Sequence, residues 1–118
     1  MRGVRRSLAV AALLVLAAPV VRAEAPVEQR YQAVRSLGEL NGVALVCRYV
    51  DEVRRMKRAL VDTLPRERAY GLAFEESTDE SFQAFVEKRQ PCPGAAAFGA
   101  QVDQALATLK TLFAAGGD

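Results

Sequence analysis

The sequence predicts an all-α fold: a small four-helix, up-down-up-down bundle stapled by one disulfide, behind a cleaved signal peptide. Three observations carry this expectation. Apolar residues recur every three or four positions through four successive segments, with no strand-like alternation between them. Only two cysteines occur, Cys47 and Cys92, well separated along the chain. Arginines and then an uninterrupted apolar run precede all of this.

The leader reads in three parts. Arg2, Arg5 and Arg6 supply positive charge, Leu8 to Ala18 is apolar, and Pro19 breaks the run before Val21-Arg22-Ala23, which offers modest side chains to a signal peptidase. Cleavage is expected after Ala23, because a cut after Ala25 would leave Pro26 just past the scissile bond. The apolar run falls short of the roughly 20 residues that span a bilayer, so no stable membrane insertion is expected after cleavage. Arg5-Arg6 also loosely fits a twin-arginine signal, which leaves the export route open. The expected organisation is a signal peptide over residues 1–23 and a single helical domain over 24–118, in a bacterial periplasm oxidising enough to keep a disulfide.

Removing the leader reverses the sign of the charge. Of the 16 Lys and Arg residues four belong to the leader, so twelve remain against 14 Asp and Glu, a net charge of −2. The basic balance of the whole chain therefore reflects targeting and gives no support to nucleic-acid binding.

The first helical segment runs from Val27 to Cys47, with Val34, Leu37, Leu40, Ala44 and Cys47 on one face. Gly38 and Gly42 weaken it by roughly 1 kcal/mol each relative to alanine. Close approach of a second helix would offset that loss, and Gly71 is the expected matching contact. Asn41 sits at the edge of the apolar face. It is either a hydrogen-bonded residue that fixes helix register or an amide that contacts a ligand.

The second segment, Tyr49 to Leu64, carries the stripe Val50, Val53, Met56, Leu60 and Leu64, with charged residues opposite. No Gly or Pro marks where it begins; Asp51 is a candidate N-cap, and a single long helix through Arg48 is the alternative. Pro65 is expected in the first turn of the third helix. Tyr70, Phe74, Thr78, Phe82 and Phe85 follow at helical spacing as the bulkiest part of the core. Ser77 and Glu80 have the spacing of a capping box, so this segment is one helix, kinked or not, or two shorter ones.

Pro91-Cys92-Pro93-Gly94 cannot continue a helix. A last helix is expected from Ala95 to Ala114 on Phe98, Val102, Leu106, Leu109 and Phe113, before a frayed Gly116-Gly117-Asp118 end. In an up-down-up-down bundle the end of the first helix and the turn before the last share one end, where Cys47 and Cys92 fall. Their bond would stabilise the domain by about 4 kcal/mol on the chain-entropy argument.

Catalytic chemistry finds little support. The chain has no histidine, hence neither the usual proton shuttle nor the commonest metal ligand. There is no S-x-x-K, no C-x-x-C and no phosphate-cradling glycine loop. No cofactor and no metal site is expected. Glu75, Glu76, Asp79 and Glu80 form an acidic cluster, read as a hydrated patch with at most a weak cation contact. Arg54, Arg55, Lys57 and Arg58 form a basic one, read as a solvated face that could also meet an anion.

The expected function is therefore non-enzymatic: an exported protein that contacts another periplasmic protein as accessory subunit, inhibitor or stress-related chaperone, with its oligomeric state open. The alternative is a small-ligand binder with a pocket near Asn41, Gly42 and Gly71; Arg54, Arg55 and Arg58 are further candidate contacts. In size, cysteine count and helix content the plan is similar in outline to small acid-stress chaperones of the HdeA type, with no motif matched residue by residue.

Overall fold

Four helices make up the domain: α1 (Val27–Val46), α2 (Val50–Thr63), α3 (Arg68–Glu87) and α4 (Ala95–Ala114). The computed structural model describes residues 3, 11–15 and 25–114. The expected cleavage point after Ala23 and the Gly116-Gly117-Asp118 end lie outside the described residues. Among the described residues there is no strand, and no helix is long and apolar enough to cross a membrane.

The helix ends follow from local chemistry. Helix α1 stops because Arg48 turns into the left-handed region at φ 59°, letting Cys47 N–H donate to Val43 O and Tyr49 N–H to Ala44 O. Helix α1 and helix α2 are therefore separate. Tyr49, rather than Asp51, is the N-cap of α2; Asp51 and Glu52 lie in its first turn, where carboxylates complement the helix dipole. Pro65 belongs to the turn before α3, whose N-cap is Glu67. Helix α3 is one helix, and Ser77 lies in its interior. It closes as α1 does, with Arg89 at φ 49° and Gln90 N–H donating to Phe85 O.

The topology is up-down-up-down, with α1 at its centre. Helix α1 packs against α2, α3 and α4, and α2 also packs on α4, whereas α2 and α3 stand apart although consecutive. Helices α1 and α3 run parallel in close contact: the Tyr31 and Tyr70 rings meet at 4.8 Å towards their N-terminal ends, and Gly42 lies on Ser81 further along. A Cβ on Gly38 would fall 2.7 Å from Phe74 O and Ser77 Cβ; one on Gly42 would fall 2.7 Å from Ser81 Cβ and Thr78 O. Ser77 Oγ donates to Arg35 O at 2.5 Å and Ser81 Oγ to Glu39 O at 2.6 Å, so the two serines close the gap with hydrogen bonds. Gly71 plays no part in this contact, since nothing lies within 4 Å of where its Cβ would be.

The core lies where α1, α2 and α4 converge, and α3 adds Tyr70, Ala73 and Phe74 to it. Leu37, Met56, Phe98, Val102 and Leu109 are fully buried; each apolar side chain of this size contributes about 1.5–3 kcal/mol. Phe85 is buried but stands outside this core, and two residues of the expected stripes are exposed. Val50 is 52% and Phe82 41% exposed, because neither has a neighbouring helix to cover it where α2 and α3 diverge. Cys47 and Cys92 are bonded across a Cα separation of 5.8 Å, tying the end of α1 to the turn before α4.

Candidate functional site

The separation of α2 from α3 opens a groove beside α1. Its volume is about 480 Å³, within the range of small-molecule and side-chain pockets. Helical spacing puts Lys57, Leu60 and Val61 on the α2 wall and Gly71, Phe74 and Thr78 on the α3 wall, while α1 contributes Asn41 and Leu45. A second hollow of about 420 Å³ shares Leu60, Val61 and Gly71 and continues the groove to the α2–α3 turn, beside Arg66 and Arg68.

Asn41 is the polar residue of the floor, at 2% exposure. Thr78 Oγ1 donates its one proton to Phe74 O at 2.8 Å, so towards Asn41 it acts as an acceptor, taking a hydrogen bond from Nδ2 at 3.2 Å. That orientation leaves Asn41 Oδ1 buried without a hydrogen-bond partner. A buried acceptor in that state costs about 1–3 kcal/mol. Asn41 thus acts as a hydrogen-bonded residue that joins α1 to α3 through its Nδ2 end, while its Oδ1 is buried and unpartnered.

The rims carry opposite charge. Glu75 and Asp79 line the α3 side and Lys57 the α2 side. Glu76 is exposed elsewhere on α3, and Glu80 borders a different hollow, between α1 and α3. The acidic cluster is thus divided, and among the described residues no group of acids, cysteines or histidines is placed to hold a metal ion.

The remaining candidate residues do not converge on one place. Gly42 is packed against α3 rather than open to a pocket, which corrects its assignment to the ligand site. Gly71 lines the groove, with open space above it. Arg55 is engaged between helices, bonded to Asp103, to Glu52 at 2.7 and 3.0 Å, and to Gly99 O at 3.2 Å. Its hydrogen bonds to Asp103, then to Glu52, hold the guanidinium above its ordinary pKa. Arg54 and Arg58 remain exposed on α2. Leu45, Leu60, Val61 and Phe74 were absent from the sequence-level site; the off-stripe position of Val61, now 82% exposed, was the available signal.

The fold and groove together define a disulfide-stapled helical bundle with a lateral apolar cleft. Comparison of the chain with protein-family models, with curated proteins and with solved structures finds no match.

Proposed function

We propose that this is an exported, non-enzymatic protein of the bacterial periplasm that works by contact with another periplasmic protein, as accessory subunit, inhibitor or stress-related chaperone. The contact surface is the α2–α3 groove. The observation that carries this reading is the groove itself: Leu45 and Val61 leave apolar area exposed at 43% and 82%, beside Leu60 and Phe74 on its walls. The leader and the disulfide support export to an oxidising compartment. The lack of any histidine and the exposure of Glu75 and Asp79 weigh against proton-transfer chemistry in the groove.

A photo-crosslinking side chain placed at Val61 in the native periplasm tests this, with Ala107 on the exposed face of α4 as control. A single protein adduct from position 61, absent from 107 and lost when Leu60→Asp is added, is the expected result. No adduct at 61, or the same adducts from both positions, contradicts it. The second reading, a binder of a small ligand in the same groove, is favoured by the unpaired Asn41 Oδ1.

A further inference from the structure

We infer that the groove is closed by a second copy of this chain, related by a two-fold axis along the helices, so that basic α2 of each copy lies against acidic α3 of the other. This rests on the groove being the contact surface and names what covers it. Another protein using the groove takes the place of that copy. Charge complementarity between the two walls carries the inference. Helical spacing sets Arg54 in line with Lys57 and Val61 on the α2 wall, and puts Glu75 and Phe82 in line on the α3 wall with Asp79 beside them. Lys57, Glu75 and Asp79 line the groove itself. Arg54, Lys57, Glu75 and Asp79 are all exposed, and among the described residues no ion pair or hydrogen bond engages any of them. One molecule cannot join its own walls, because α2 and α3 stand apart.

The direction of the helices selects the symmetry. Helices α2 and α3 run antiparallel on either side of the groove. A two-fold axis across the helices would set α2 against α2 and α3 against α3, like charge against like. An axis along the helices instead sets α2 against α3 and keeps each residue at its own level, so that Lys57 meets Glu75 and Asp79 once on each side. The apolar residues fit the same operation. Val50 opens α2 just after Cys47 and Val86 closes α3 just before Cys92, so the disulfide places both at one end of the bundle. They are 52% and 51% exposed, and the axis brings Val50 of each copy to Val86 of the other. It also covers Leu45 and Val61, which a single copy leaves in water.

The test is self-association of the chain purified from the periplasm with its disulfide intact, followed by sedimentation at concentrations up to about 1 mM. Three forms are compared: the parent, Arg54→Glu with Lys57→Glu, and Glu75→Lys with Asp79→Lys. The parent is expected to dimerise, and each charge-reversed form to do so about tenfold or more weakly, since it opposes like charges on both sides of the axis. An equimolar mixture of the two reversed forms is expected to regain the dimer, because α2 of each then meets opposite charge on α3 of the other. A parent that stays monomeric, a dimer indifferent to reversal, or a mixture that regains nothing would overturn the inference. Salt decides even if a variant does not fold: raising it from about 0.1 M to about 1 M should loosen the parent dimer, and a dimer that tightens contradicts the pairing. A monomer that still gives a Val61 adduct with a different protein would remove this inference and keep the proposed function; a charge-dependent dimer without any such adduct would do the reverse.

Discussion

Gly42 of α1 lies so close to Ser81 of α3 that a Cβ on the glycine would fall 2.7 Å from the serine Cβ. Two backbones meet there, since Thr78 O and Phe82 N are equally near, at 2.7 and 2.8 Å. This contact holds α3 to α1, and α2 stands apart from α3.

Alanine at Gly42 and at Gly71 should therefore have opposite effects. Gly42→Ala must push apart backbone atoms that cannot rotate away, and a loss of about 1–3 kcal/mol is expected despite the better helix propensity. Gly71→Ala meets open space inside a helix and should gain about 0.5–1 kcal/mol. Urea denaturation of the two variants beside the parent measures both, with the sign of each as the result.

The two left-handed arginines offer a second check. Arg48 and Arg89 hold φ 59° and 49°, which glycine adopts without the Cβ penalty. Replacement of either by glycine should raise stability by up to about 1 kcal/mol. A β-branched Arg48→Val should lower it by at least that much. Thermal unfolding monitored by circular dichroism separates the three.

Asn41 and Thr78 should respond differently to apolar replacement. Asn41→Leu removes the unpaired acceptor together with the weak 3.2 Å bond, and is expected to leave stability unchanged or raise it by about 1 kcal/mol. Thr78→Val leaves Asn41 with neither end paired, and should cost about 1–3 kcal/mol. Denaturant midpoints at constant slope give both values.

Replacing Cys47 and Cys92 together by alanine should cost about 4 kcal/mol, because 45 positions of chain separate the two cysteines. The helices are expected to remain at low temperature, since their core does not depend on the sulfurs. The loss in unfolding free energy, with an unchanged far-ultraviolet spectrum before melting, is the quantity to measure.

Much of this fold was legible from residue spacing. Every apolar residue of the α4 stripe is buried, and the turn Pro91-Cys92-Pro93-Gly94 places Cys92 opposite Cys47. The partner of Gly38 and Gly42 was not legible in the same way. Gly71 was the natural match by residue type, yet the fit is made by Ser77 and Ser81, spaced four apart, whose hydroxyls return hydrogen bonds to the facing carbonyls. Periodicity assigns a residue to a face but does not say which helix covers that face, so Phe82 was expected in the core although no helix lies over that face of α3. The α1–α2 boundary was hidden for a related reason: arginine, not glycine, adopts the left-handed turn at position 48. Of the three residues expected beside a pocket, Asn41 and Gly71 line the groove and Gly42 does not, because a small residue signals either an opening or a close contact.

The most direct measurement is to fill the groove without touching the core. Gly71→Trp does so, since a side chain added there meets open space between α2 and α3. With the fold and the disulfide retained, the adduct formed from a crosslinker at Val61 should disappear, while Leu72→Trp, on the exposed surface one residue on, should leave it in place. An adduct that persists at full yield with the groove filled would contradict the assignment of this surface.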